Sequence, residues 1–203
     1  MKSLYYASIF LFFSSGLAAQ IKCAVSAGAN YSEVFIPEHN RKDRIENLEM
    51  FPILNFNGGI YAEYDFGRFV FSSGFFVSRR GSKIGKESIL ASPYIQLNEL
   101  QFYFWEIPCL VRFPLLNRSL EVGGGFVNSI LSDADVYLAT NIDKPYQIDI
   151  KALFRWNMTP RLNMEAGYTL GGLNHFDDYN YFGHSVFNLN VGYRLFSVNF
   201  KHP

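Results

Sequence analysis

The chain has little of what would hold together a disulfide-stapled, helical-membrane or nucleic-acid-binding protein. Of its 203 residues only 2 are cysteine, Cys23 and Cys109, too few for a disulfide scaffold. Both fall on the apolar faces of segments that are not neighbours in an up-and-down order, so they read as two small apolar side chains. Net charge is zero and no basic block occurs, which argues against nucleic acid as a partner. Beyond the N-terminal leader no run of 18 apolar residues is present, so no hydrophobic helix holds the remainder in a membrane. The 4 histidines, His39, His175, His184 and His202, match no standard ligand spacing. No metal and no cofactor is expected.

What the chain does have is aromatic rings, 18% of all residues with 21 Phe and 13 Tyr, and a leader. Lys2 supplies a positive start, Leu4 to Phe13 an apolar stretch, and Leu17-Ala18-Ala19 a small-residue exit. That order is the pattern of an export signal. A buried helix or an anchor would also be apolar, but the stretch is short of the roughly 20 residues a spanning helix needs. Residues 1–19 are therefore expected to be a signal peptide and 20–203 a single barrel domain. A lipid-modified Cys23 is disfavoured, because Gln20-Ile21-Lys22 before it lacks small residues.

From Ile21 to Phe196 the chain reads as eight segments in which alternate residues are apolar. Period two means extended strands, since successive side chains point to opposite faces of a sheet. The segments are Ile21–Tyr31, Asn57–Phe66, Phe69–Arg80, Phe102–Phe113, Ser119–Ile130, Gln147–Trp156, Leu162–Leu170 and Val186–Phe196. Each has about ten residues, the length with which a tilted strand crosses hydrocarbon. Short turns at Gly67-Arg68, Pro114–Arg118 and Asn157–Arg161 alternate with long loops at roughly 32–56, 81–101, 131–146 and 171–185. Glycine first in the Gly67-Arg68 pair suits a tight hairpin, and Gly123-Gly124-Gly125 suggests a bend or bulge. The expected fold is all-β: an eight-stranded antiparallel up-and-down transmembrane β-barrel, with short turns at one end and long loops at the other.

Alternation alone does not say which face meets lipid, because a lipocalin-like barrel turns its apolar face inward around a ligand. The charges decide. Glu63, Asp65, Glu106, Glu121, Asp149 and Glu165 share the polar face with Lys22, Arg80, Arg112, Lys151, Arg155 and Arg194. Six acids against six bases suit a narrow lumen, where ions removed from water are costly unless paired. Those twelve residues are expected to form a structural charge network, with Arg112, Arg155 and Arg194 contacting acids on adjoining strands. On the apolar face, Phe66, Phe69, Phe113, Trp156 and Tyr193 lie near the short turns, and Tyr31, Phe75, Tyr103, Trp105, Tyr168 and Phe187 near the loops. Those are two aromatic girdles.

Several stretches resemble the PorT-like outer-membrane β-barrels of Bacteroidetes. They are Val25-Ser26-Ala27-Gly28-Ala29-Asn30, Gly59-Ile60-Tyr61-Ala62-Glu63-Tyr64, Trp105-Glu106-Ile107-Pro108-Cys109-Leu110, Gly167-Tyr168-Thr169-Leu170-Gly171-Gly172-Leu173-Asn174 and Asn190-Val191-Gly192-Tyr193-Arg194. The resemblance covers essentially the whole of 20–203 and rests on strand patterns rather than chemistry. It implies a Gram-negative outer-membrane protein, and the family's namesake is associated with type IX secretion.

An eight-stranded lumen is filled by side chains, so a general diffusion pore is not expected. No catalytic residue is assigned. The leading expectation is a non-enzymatic, monomeric outer-membrane barrel in contact with lipid, an accessory of secretion machinery. A lipid-modifying enzyme is the second class, for which His175, Asp177, Asp178, His184 and Ser185 in the last loop are the candidates. A surface adhesin or ligand receptor acting through the loops is the third. All four histidines are expected outside the strands, and the charged stretch Arg41-Lys42-Asp43-Arg44 with Glu46 and Glu49 is a candidate short helix or solvated surface.

Overall fold

The computed structural model describes residues 20–35, 50–85, 99–135, 146–171, 174–177 and 180–199. The proposed signal peptide and the charged stretch after residue 40 lie outside them. The described strands are β1 (Gln20–Phe35), β2 (Met50–Asp65), β3 (Val70–Ile84), β4 (Glu99–Leu115), β5 (Leu120–Asp135), β6 (Tyr146–Asn157), β7 (Leu162–Leu170), β8 (Asn174–Asp177) and β9 (Asn180–Asn199). Neighbours pair antiparallel in chain order, β7 pairs with β9, and β9 pairs back to β1. The sheet is thereby a closed barrel of eight long strands, and closure leaves no edge within the barrel wall. β8 is a short arm hydrogen-bonded to the loop-side end of β9.

The burial pattern shows which face is which. Ile60, Phe113, Phe126, Ile150, Trp156, Phe187 and Val191 are exposed, while their neighbours Tyr61, Arg112, Val127, Asp149, Arg155, Asn188 and Asn190 are buried. The apolar face therefore points outward and the polar face inward, the reverse of a lipocalin-like barrel. An exterior with this many exposed large apolar side chains suits a surface covered by lipid rather than water. No described helix is long and apolar enough to cross a membrane.

Three tight turns join the strands at one end. Phe66 N donates to Phe69 O at 3.0 Å around Gly67, whose φ of 84° is the left-handed conformation that glycine adopts without cost. The β4–β5 turn carries Leu116, Asn117 and Arg118 at positive φ. In the β6–β7 turn Thr159 N donates to Leu162 O at 3.1 Å.

At the other end the strands run further than the alternation predicts. β1 continues to Phe35, β2 begins at Met50, β3 reaches Ile84, and β4 starts at Glu99. The alternation fades there because the inward positions turn apolar. Val34, Ile84, Leu100, Phe102, Phe104 and Leu131 pack together as the buried core of the loop-side lumen. With both faces apolar, a period of two has no contrast to show.

The triple glycine is not a bulge. β5 stays in register with β4 and β6 through Gly123, Gly124 and Gly125, and the β4–β5 register shifts at Tyr103/Phe104 instead. Close approach explains Gly123, since a Cβ there would lie 2.1 Å from Val111 O and 2.7 Å from Arg112 Cα.

Candidate functional site: the charged lumen

Side chains at every second position of eight strands converge on one axis, so the lumen is the place where residues distant in sequence meet. It is layered. Nearest the short turns, Lys22 Nζ donates to Asp65 Oδ2 at 2.8 Å, and Arg118 Nη1 to the same oxygen at 2.7 Å. Arg118 Nη2 also donates to Gly67 O at 2.7 Å, fastening the second turn to the first. Arg118 was not among the residues expected here. It sits in a turn, where strand alternation carries no information, and its left-handed φ turns it back over the barrel mouth.

The next layer is the most connected. Glu63 accepts from Arg112 Nη2 at 2.6 Å and also from Arg155 Nη1, joining β2 to β4 and β6 across the barrel. Arg155 Nη2 donates to Glu165 Oε2 at 2.7 Å, and Lys151 Nζ to Glu165 Oε1 at 2.9 Å. Arg112 Nε lies 3.3 Å from Glu121 Oε2, an ion pair without hydrogen-bond geometry. Glu121 is held from its other oxygen by Asn157 Nδ2 at 2.9 Å. The Arg155 guanidinium stacks 5.3 Å from the centroid of the Tyr61 ring, where a desolvated cation–π contact adds to the ion pairs.

Above it, Arg80 is bound on two sides. Nη1 donates to Asp149 Oδ2 at 2.7 Å, and Nε donates to Glu106 Oε1 at 3.1 Å. Ser129 Oγ adds a bond to Asp149 Oδ2 at 2.8 Å, and Arg80 packs 4.7 Å from the centroid of Phe104. The apolar layer of Phe102, Phe104 and their neighbours lies on the loop side of this cluster.

Of the twelve expected network residues, eleven are thus in ion pairs: Lys22, Glu63, Asp65, Arg80, Glu106, Arg112, Glu121, Asp149, Lys151, Arg155 and Glu165. Arg194 is the correction. Its guanidinium donates to the Pro160 carbonyl in the β6–β7 turn, and it makes no ion pair among the described residues. It lies at the turn-side mouth, where a backbone carbonyl is within reach and Asp65 is already held by Lys22 and Arg118. The partners of Arg112 and Arg155 are also not confined to adjoining strands, because a narrow lumen lets β2 meet β4 and β6.

The histidine expectation needs correction as well. His184 lies within β9 and is fully buried, its ring edge-on to Phe102 and Phe104 at centroid distances of 5.1 and 5.5 Å. His175 lies in β8. His184 and Ser185 are adjacent in one strand and so face opposite sides of the wall, which separates two members of the imagined rim site. Asp178, His39 and His202 fall outside the described residues. Among the described residues no group of three or more His, Cys, Asp or Glu side chains converges to hold a metal ion.

A scan against protein-family models gives no match, and a search of curated proteins gives none either. Solved structures do match. Ail, the attachment invasion locus protein of Yersinia pestis, is similar with a TM-score of 0.50 and 16% identity, over 86% of this chain and 98% of that one. Neisserial surface protein A is similar with a TM-score of 0.50 and 13% identity, over 85% and 97%. The fold is that of the small eight-stranded membrane barrels. At such identities the likeness extends to the fold alone, and the chemistry of the site rests on the lumen residues of this chain.

Proposed function

We propose that the protein is a non-enzymatic barrel of the Gram-negative outer membrane, whose lumen is a structural plug and whose work is done by the loops and turns at its two rims. The observation that carries this reading is the lumen itself. Eleven charged side chains from seven strands are tied to one another across it, beneath an apolar layer on the loop side. Charges spent on one another are poorly placed to attack a substrate, and a bore filled by long side chains leaves no wide aqueous path. The apolar exterior and the closed barrel of eight long strands support the compartment.

The resemblance to PorT-like barrels directs the finer proposal: the protein is an accessory of type IX secretion, acting from the membrane rather than transporting through its own bore. A deletion strain tests this. Loss of exported cargo from the medium, with unchanged lipid A and the protein recovered with outer membranes, is the expected outcome. Normal export with altered lipid A would instead support a lipid-modifying enzyme, and normal export with reduced surface attachment would support an adhesin.

A further inference from the structure

The three short turns share a composition that the strands do not show. Each carries one arginine, Arg68, Arg118 or Arg161, and none carries an acid. Each arginine also stands beside apolar side chains. Arg68 lies between Phe66 and Phe69, whose rings stack at 4.8 Å. Arg118 follows the exposed Leu115 and Leu116, and Arg161 follows the exposed Met158. Arg161 Nη1 donates to Tyr193 Oη at 3.4 Å, on an outward ring of the turn-side girdle.

The charge at this rim does not balance. Beyond the Glu63 layer stand Lys22, Arg68, Arg118, Arg161 and Arg194, and among the described residues Asp65 is the one acid there. Asp65 is already shared by Lys22 and Arg118. Arg68 and Arg161 are exposed and make no ion pair among the described residues. The loop-side end of the outer wall is different, because bases and acids mix there. Arg79 donates to Gln101 and lies 5.4 Å from the centroid of Tyr103, Lys83 stands opposite Glu99 in register, and Glu33 and Asp133 add acid.

We propose that the turn-side rim is a docking surface for anionic phospholipid, with Arg68 and Arg161 holding headgroup phosphates of the surrounding leaflet. Girdle aromatics mark the boundary between hydrocarbon and headgroups, and these two arginines stand directly beside them. A guanidinium presents several donors to phosphate oxygens. Tyr193, accepting from Arg161, keeps its own O–H to donate to the same phosphate. The apolar turn residues fit the acyl boundary, with the charged heads directed to water and phosphate. The lack of free acid selects the net charge of the lipid. A zwitterionic headgroup brings an ammonium for which the rim has no carboxylate to spare, whereas a singly negative one does not. This inference rests on the barrel's place in a membrane and is independent of any role in secretion.

The whole barrel, refolded into nanodiscs of phosphatidylcholine with a minority of phosphatidylglycerol, tests the rim by native mass spectrometry of the lipids it retains. Phosphatidylglycerol is expected to be retained above its share of the disc. An arginine near an anionic surface is worth about fivefold in binding, so Arg68→Gln and Arg161→Gln should each lower the enrichment by about that factor. Tyr193→Phe, which keeps the ring, should lower it less. Arg79→Gln, on the loop-side end, should leave it unchanged. Retention at the disc's own composition would overturn the proposal, as would equal enrichment in the Arg68 and Arg161 variants. Loss of the retained lipid to inorganic phosphate or to a glutamate-rich peptide, at constant ionic strength, would overturn it by assigning the rim to a soluble anion. A barrel that enters no disc of either composition would overturn the membrane reading itself, and this surface with it.

Discussion

Glu63 is the residue whose loss the lumen should feel most. Its side chain is 6% exposed and bridges Arg112 and Arg155, whose side chains are 0% and 6% exposed. Glu63→Gln keeps the shape and removes the charge shared by both guanidiniums. Leaving a buried charge without its partner costs roughly 3–5 kcal/mol. Here each arginine keeps a second acid, Glu165 for Arg155 and the looser Glu121 for Arg112, so the lower end, about 3 kcal/mol, is expected. At about 1.4 kcal/mol per tenfold, the folding equilibrium should fall by more than a hundredfold. Urea titration of the refolded barrel, followed by the heat-dependent shift in gel mobility, reads it. Arg112→Met added to Glu63→Gln should cost less than the sum of the two single changes by about 1 kcal/mol or more, because the double variant no longer strands one of the two arginines. A single-variant cost under about 1 kcal/mol with strict additivity would refute the reasoning, since it would mean that lumen water screens these charges.

Other positions separate the two faces and the layers. Val122→Arg, on the lipid side of the wall, should cost about 2–4 kcal/mol near mid-height and reduce assembly in vesicles; tolerance equal to that of a lumen position would mean that the face does not meet lipid. Gly123→Ala places a methyl against the Val111 carbonyl and the Arg112 backbone, so a loss of about 1–3 kcal/mol from overpacking is expected in the same urea titration. Phe104→Ala, at a fully buried ring of the loop-side layer, should cost about 3–5 kcal/mol and speed protease entry at that end, while a neutral result would show that the layer is not a packed core.

The strand faces were readable in the sequence because charged and apolar residues alternate cleanly through the middle of the barrel, as in Ile148 to Trp156. The loop-side extent of the strands was not, because inward residues such as Val34, Leu100 and Phe104 are themselves apolar and erase the contrast. His184 was misplaced for the same reason, standing beside Gly183 at the start of a segment with no clear period. Eleven network residues were recoverable from face and charge alone. Their pairing was not, since meeting across the bore depends on tilt and stagger, which one strand's sequence does not encode. Arg118 shows the limit most plainly: a turn residue joins the network through its backbone conformation.

The central claim is that these charges close the lumen. Planar-bilayer recording of the unmodified protein tests it most directly. The expected record is a quiet bilayer, with brief small openings at most, becoming noisier when Glu63 is changed to Gln. A large, steady open channel from the unmodified protein would contradict the account.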